Sequence, residues 1–349
     1  MGRRWLIILI VAAVGVGVWW ARRRPVNYPI AYIADRSATL WSATAQVRRQ
    51  VGTLGYGERV DVMGRAGDLT EVRAADGTRG WIDSRLLMAP ALWSRVGQLL
   101  SDARNMPVQA KGHTRTLSNV HIEPGRDSDR IFQFGHNVPV AVLERQVAAA
   151  PASAGDEGRT ADEAPAGSAP KSEKSDGEDW LLVLYLPPNP AAATGAAAQP
   201  ESGPSVAIAG WVLSRFVELD PPQPIGDYTS AAGRRVVAWV QLDTVPDASG
   251  AKPQYLVAAA KSGEGQPCDF TSIRVYTWGA VRMQYETSFV ENNLCGHMPL
   301  RVSQTSAGPE FRFSDEKGAE HAYRLVQTVV RRIPSPGADK DLKSRKPSR

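Results

Sequence analysis

Two periods of apolar patterning, and one run without a period, divide the chain. Residues 5–21 pass through seventeen positions with no charge, between Arg3-Arg4 and Arg22-Arg23-Arg24. As a helix that run is about 25 Å long, near the short limit for an apolar layer about 30 Å thick. It ends in Trp19-Trp20 and three arginines rather than in small residues, which favours an uncleaved signal-anchor over a cleaved leader. From residue 28 onward, short stretches alternate apolar and polar positions, the period of half-buried strands. Residues 91–105 break that rule: Leu92, Val96, Leu99 and Leu100 fall on or near one side of a helix that Pro107 limits.

The strand-like stretches fall into three groups, so the chain reads as all-β and multidomain behind an N-terminal transmembrane helix in residues 1–27. Residues 28–89 hold 30–33, 59–63, 69–74 and 81–87, punctuated by glycines at 52, 55, 57, 64, 67, 77 and 80. Asp76-Gly77 is a favourable hairpin turn there, and Gly52-Thr53-Leu54-Gly55-Tyr56-Gly57 reads as turn. Residues 90–107 form a helical spacer that separates or docks the modules. A second group, 108–220, is stretched by two segments, 148–179 and 187–204, rich in Ala, Pro and Gly; the first carries eight acids against three bases. Such composition buries little apolar area, so both are expected to be flexible insertions around an apolar strand at 180–186. Residues 226–334 carry candidates at 235–242, 255–260, 273–278, 282–289, 300–303, 310–314 and 322–330, which suggest a β sandwich or barrel. Tyr276 and Trp278 share one of its faces by period, for packing or a partner. Residues 335–349 read as a disordered basic tail.

The formal charge of +5 belongs to the ends. Residues 1–24 hold five arginines and no acid, and residues 331–349 hold seven basic and two acidic residues; what lies between has 29 basic and 34 acidic residues. That middle offers no electrostatic case for specific nucleic-acid binding. Two cysteines, Cys268 and Cys295, fall in the third group, each in an apparent turn. A disulfide joining two loops is expected, as an oxidising compartment allows, with buried free thiols the alternative.

One short sentence occurs twice, 130 residues apart: Gly80-Trp81-Ile82-Asp83-Ser84-Arg85-Leu86 and Gly210-Trp211-Val212-Leu213-Ser214-Arg215-Phe216. Each follows a strand of matching pattern, Asp68-Leu69-Thr70-Glu71-Val72-Arg73 in the first and Asp179-Trp180-Leu181-Leu182-Val183 in the second, with Gly135 to Leu143 upstream in the latter. Both stretches resemble the bacterial SH3 domain family, over about 60 residues each once the insertions are discounted. The resemblance implies two small SH3-like barrels that bind peptides or cell-wall peptide material. The second has Trp180 where family members carry an aromatic residue; the first departs with Leu69.

The ligand-binding candidates are Trp81, Arg85, Trp180, Trp211 and Arg215. Tryptophan offers a large rigid apolar surface and arginine a fork for carboxylates, yet hairpin packing and a solvated strand end are the competing roles. Asp68 and Asp179 match in the repeats and are expected in exposed turns. Cys268 or Cys295 with His297 or His321 is the only nucleophile arrangement worth weighing, and the turn settings speak against it. The five histidines are dispersed, so no metal site or cofactor is expected. The expectation is a noncatalytic binding or scaffolding protein, single-pass in the cytoplasmic membrane with its bulk on the outer side. Its partners would be the bilayer through residues 5–21 and wall peptide or glycan, or an envelope protein; the alternatives are an assembly partner of an envelope complex or a cell-wall hydrolase.

Overall fold

The computed structural model describes residues 28–149, 177–188 and 204–334. The predicted membrane segment, the basic tail and most of both insertions lie outside those residues. Among the described residues no helix is long and apolar enough to cross a membrane. The chain divides into two compact units, Met1–Pro90 and Ala91–Arg349.

The described part is dominated by strands in three seven-stranded antiparallel sheets. In the first unit, β1 (Ile30–Ile33), β2 (Ser37–Trp41), β3 (Gln50–Gly55), β4 (Arg59–Ala66), β5 (Leu69–Arg73), β6 (Arg79–Asp83) and β7 (Leu87–Met88) are ordered β3-β2-β6-β5-β4-β1-β7. The stretch 52–57, expected as turn, is strand as far as Gly55. Its Leu54 is buried in the core, which outweighs the glycine content.

The second unit begins with α1 (Pro90–Ala103) and continues through β8 (Ala110–Thr114), β9 (Ser118–His121), β10 (Arg130–Phe134), β11 (Pro139–Ala149), β12 (Gly177–Tyr185), β13 (Ile208–Leu213) and β14 (Val217–Leu219). Their order is β10-β9-β13-β12-β11-β8-β14, the order of the first sheet with every number raised by seven. A single 3-10 turn, Ser84–Leu86 or Ser214–Phe216, joins the sixth and seventh strands in both. Even the irregularities agree: the register slips between Val62 and Gly64 in one sheet and between Val142 and Glu144 in the other.

The recurring glycine has one physical cause. A Cβ on Gly80 would sit 3.0 Å from the Trp41 carbonyl and 2.9 Å from Val51 Cγ2; one on Gly210 would sit 2.9 Å from the His121 carbonyl and 2.4 Å from Val120 Cγ1. The neighbouring strand passes too close for any side chain.

Alternation places Val60, Val72 and Ile82 in the core of the first module, and Val140, Val183 and Val212 are their buried counterparts in the second. The tryptophans point the other way. On the outer face of the second sheet, Trp180, Leu182, Leu184, Ala209, Trp211 and Leu213 form an apolar cluster. Leu99, Leu100 and Ala103 of α1, with Met106, pack onto it. The helix therefore docks, and the ion pair of Arg95 with Glu123 ties its exposed side down. The same face of the first module carries Glu71, Arg73, Arg79 and Asp83 instead, and Trp81 there stays half-buried.

The expected insertion 148–179 is shorter than its composition suggested. β11 runs on to Ala149 and β12 starts at Gly177, with Ala148 paired to Glu178 and Val147 to Asp179. Asp179, expected in an exposed turn, is 1% exposed, whereas Asp68 is indeed exposed. The physical reason is a set of buried partners, described below, that a composition count does not see.

After α2 (Ile225–Ala231), β15 (Arg235–Val245), β16 (Lys252–Ala260), β17 (Phe270–Gly279), β18 (Gln284–Thr305), β19 (Gly308–Asp315), β20 (Glu320–Val326) and β21 (Val329–Ile333) pair in sequence order as one sheet. All seven strands are hydrogen-bonded into one continuous sheet. Leu256, Phe270, Val275, Leu300, Phe311 and Tyr323 pack on its core side. Two predicted strands, 282–289 and 300–303, are one strand of 22 residues, β18. The apparent turn at 292–297 is a kink within it: Asn293 takes φ 59°, a conformation asparagine tolerates, so the polar pair does not end the strand. The opposite error occurs at 322–330, which Gln327 (φ 56°) turns into the β20–β21 hairpin.

Cys268 and Cys295 form the expected disulfide. In the second unit the module and the third sheet form one body. The amide of Gln109, fully buried, donates to the Leu300 carbonyl and accepts from the Leu300 N–H at 2.6 Å, while its own carbonyl accepts from Trp239 N–H.

Candidate functional site: a cleft on the second module

The outer face of the second sheet is not wholly covered by α1. Beyond the helix lies a cleft of about 330 Å³, lined by Leu117, Asn119, His121, Arg126, Gln133, Trp180, Leu213, Arg215 and Phe216. β9 and β10 supply the amides, β12 and β13 the apolar wall, and the 3-10 turn after β13 supplies Arg215 and Phe216.

Glu178 anchors the polar side. Arg126 grips it with both arms of its guanidinium, Nε to Oε2 at 2.8 Å and Nη2 to Oε1 at 2.6 Å, and Arg215 Nη2 adds a third bond to Oε1 at 2.9 Å. The Arg126 bonds hold the Glu178 carboxyl below the usual carboxylate range, and Glu178 in turn raises Arg126. Arg215 also reaches Glu264, at 3.5 Å, in the turn before β17. Four charges thus fix one another and keep the two guanidinium planes at the rim.

His121 faces the indole of Trp180 edge-on, ring centres 5.2 Å apart. Its Nδ1 lies 2.8 Å from the Ser128 carbonyl, which can only accept, so Nδ1 carries the proton. Burial, with a smaller push from Arg130, lowers the pKa of this ring and outweighs the help of that carbonyl. The ring is neutral at pH 7 and Nε2 is an acceptor. Gln133 donates its amide to Asn119 Oδ1 at 2.9 Å, which orients both amides as a pair. Leu117 is 65% exposed beside them, an apolar edge in water.

Of the sequence candidates, the cleft brings together Trp180 and Arg215. Trp211 does not line this cleft: it is 6% exposed, in the apolar cluster on which α1 packs, where the competing packing role places it. Trp180 is itself 1% exposed, so it forms the wall of the cleft by packing, and its indole N–H meets no acceptor among the described residues. Trp81 and Arg85, on the first module, do not line this cleft. Register explains the difference between the two arginines. Asp83 and Leu213 are counterparts, opposite Leu69 and Trp180 respectively. Asp83 takes the Arg85 guanidinium, Nη2 to Oδ2 at 2.6 Å and Nε to Oδ1 at 3.0 Å, whereas Leu213 offers Arg215 nothing and Arg215 turns to Glu178.

Sequence reasoning missed Glu178, Arg126, His121, Asn119 and Gln133. For Glu178 the clue was its place two residues before the apolar strand 180–186. For His121 the clue was the repeat itself, since it pairs with Trp211 as Trp41 pairs with Trp81.

Next to the cleft, Asp179 accepts from Arg145 Nη2 at 2.6 Å and from the Gly265 N–H at 2.7 Å. Arg145 also bonds Asp269 at 2.7 Å and the Gln266 carbonyl at 2.8 Å. Asp269 accepts in addition from the Met298 N–H at 2.8 Å. Burial opposes the charge on Arg145, but its two carboxylates outweigh that and raise its pKa. This knot joins β11 and β12 to the turn before β17, which the disulfide at Cys268 holds to β18. Glu264 therefore meets Arg215 from a segment fixed at both ends. Among the described residues no group of His, Cys, Asp or Glu is arranged to hold a metal.

No protein-family model matches the chain, and no curated protein matches it. Solved structures give loose overlaps only. An NlpC/P60 family protein from Bacillus cereus is 13% identical, with 88% of this chain and 95% of that chain covered and a TM-score of 0.21. NlpC1 and NlpC2 from Trichomonas vaginalis are each 10% identical at a TM-score of 0.17, covering 87% and 88% of this chain and 87% and 98% of theirs. Scores at this level carry no argument for fold or chemistry.

Proposed function

We propose that this is a noncatalytic binding protein of the cell envelope, tethered by residues 5–21 to the outer side of the cytoplasmic membrane. In this reading it recognises peptide of the kind exposed in cell-wall material, through SH3-like modules. The observation that carries the reading is the cleft of the second module. A neutral imidazole, an oriented amide pair, two guanidiniums fixed on one carboxylate and an exposed leucine edge match the alternation of amide, carboxylate and small apolar groups along a peptide. The identical strand order of the two modules, with the Gly-Trp hairpin at the same place in each, supports the SH3-like resemblance. Against the hydrolase alternative, both sulfurs are joined in the disulfide, so neither offers a thiolate, and the cleft imidazole packs on an indole instead of a nucleophile.

The test is calorimetric titration of the full chain in detergent with a soluble wall peptide fragment. Saturable binding that Arg215→Ala weakens at least tenfold, with the fragment recovered intact, supports the reading. No heat of binding, or a cleaved fragment, overturns it.

A further inference from the structure

The outer face of the first module carries charge where its repeat counterpart carries none. Register matches Arg59, Asp61, Arg73 and Arg79 to Pro139, Ala141, Leu184 and Ala209. The last three of those belong to the apolar cluster beneath α1, so this sheet closes without charge at these places. In the first module Arg73 and Arg79 stand directly opposite each other on β5 and β6. Like charges so placed repel, and Arg79 adds to the positive potential around Arg73.

The groups are arranged as a receptor. Arg59, Asp61, Arg73, Ala74, Ala75 and Gly77 line a concavity of about 500 Å³, with small residues leaving one side open. Arg73 is held from two directions: its Nη2 lies 2.7 Å from Asp61 Oδ2, and its guanidinium sits over the Tyr28 ring at 5.1 Å. Arg59 reaches the other Asp61 oxygen only at 3.7 Å, with its side chain 61% exposed. The nearby acids do not fill the space. Asp76 is turned into its own hairpin by the Thr78 N–H and hydroxyl, and Glu71 lies farther along β5, opposite Trp81.

We propose that this concavity is a second binding site, for a peptide carboxylate. Two guanidiniums lining it against one carboxylate leave a single positive charge, which a planar monoanion neutralises while accepting from a guanidinium fork. The site belongs to the first unit and does not depend on the cleft of the second module.

The test is an NMR titration of the full chain, labelled with 15N-arginine, following the arginine Nε–H signals. The probes are acetyl-alanyl-alanine, its C-terminal amide, acetyl-glutamate amide and inorganic phosphate. The expected result is saturable movement of the Arg59 and Arg73 signals with one or both carboxylate peptides, none with the neutral amide, and at least tenfold weaker binding in Arg59→Gln. Arg59 is exposed enough that this variant keeps the fold, which its unchanged melting temperature verifies. Arg79→Gln, a second variant outside the Asp61 pair, is expected to weaken binding several-fold. Equal binding of the amide, undiminished binding in Arg59→Gln, a response to phosphate but not to either carboxylate, or no response at all would each overturn the proposal.

Discussion

Arg145 is the side chain whose loss should be felt most in the second unit. It is 4% exposed, between Asp179 at 1% and Asp269 at 7%. Replacing it with alanine leaves two buried carboxylates with only partial compensation: Asp179 keeps the Gly265 N–H and a distant Arg235 at 3.4 Å, and Asp269 keeps the Met298 N–H and the His297 ring at 3.6 Å. Breaking a buried pair from one side costs about 3–5 kcal/mol, because the stranded charge remains out of water. For a body of this size, each kcal/mol moves the melting temperature by about 2–4 °C, so Arg145→Ala should lower the transition of the second unit by roughly 6–20 °C. The reasoning has a second edge. Arg145 Nε meets no acceptor, so the knot is not ideally satisfied, and replacing Arg145, Asp179 and Asp269 together by Met, Leu and Leu should recover most of that loss. Thermal unfolding of the full chain, followed by circular dichroism and calorimetry, reads both variants. A single-variant loss below about 1 kcal/mol, or a triple variant worse than the single one, would refute the claim that burial of unpaired charge sets the cost.

Other perturbations follow the same logic. The disulfide closes a loop with a sequence separation of 27, so the Cys268→Ser/Cys295→Ser variant should lose about 3–4 kcal/mol on the chain-entropy account, read from denaturant midpoints; an unchanged midpoint would contradict it. Glu178 has its folded pKa depressed, chiefly by Arg126; its contribution is therefore present above the unfolded carboxyl pKa and lost as pH falls through the lower folded value. Glu178→Gln should flatten that acid limb of the stability profile, and a limb identical to the parent's would refute the assignment. Gly210→Ala drives a Cβ into Val120 and the His121 carbonyl and should cost about 1–3 kcal/mol, with Gly80→Ala somewhat milder because its nearest contact is 2.9 Å rather than 2.4 Å; equal or negligible losses in unfolding would show that the strand can yield.

The repeat was legible because two residue types in it answer to geometry: glycine where a strand carbonyl crowds the backbone, and a tryptophan one residue on, aimed outward. What the aromatic does was not legible, since packing under α1 and half-burial among charged neighbours give the same letter. Only the neighbours decide: Leu182 and Leu184 accompany Trp211, whereas Glu71 and Arg73 accompany Trp81. Much of the cleft stayed hidden for a related reason. Glu178 and Asp179 stand at the end of a segment whose acidic composition describes solvent, yet Arg126 from the β9–β10 loop, Arg215 from the 3-10 turn after β13 and Arg145 from the neighbouring β11 neutralise them. The two arginines of the repeated motif looked equivalent, and one substitution beside them, Leu213 for Asp83, redirects the second across the sheet to Glu178. In the third sheet, Asn292-Asn293 carried turn chemistry but an exposed kink absorbed it.

The central claim is that the cleft on the second module binds peptide without cleaving it. The measurement that tests it most directly is one incubation of the full chain with a defined wall peptide fragment, in which bound fragment and fragment mass are read from the same sample, for the parent and for Arg126→Ala/Arg215→Ala. The account predicts a stoichiometric complex with the fragment at its original mass, and a complex lost in the double variant while α1 stays docked. A fragment shortened by the parent, or a complex that survives loss of both arginines, would contradict it.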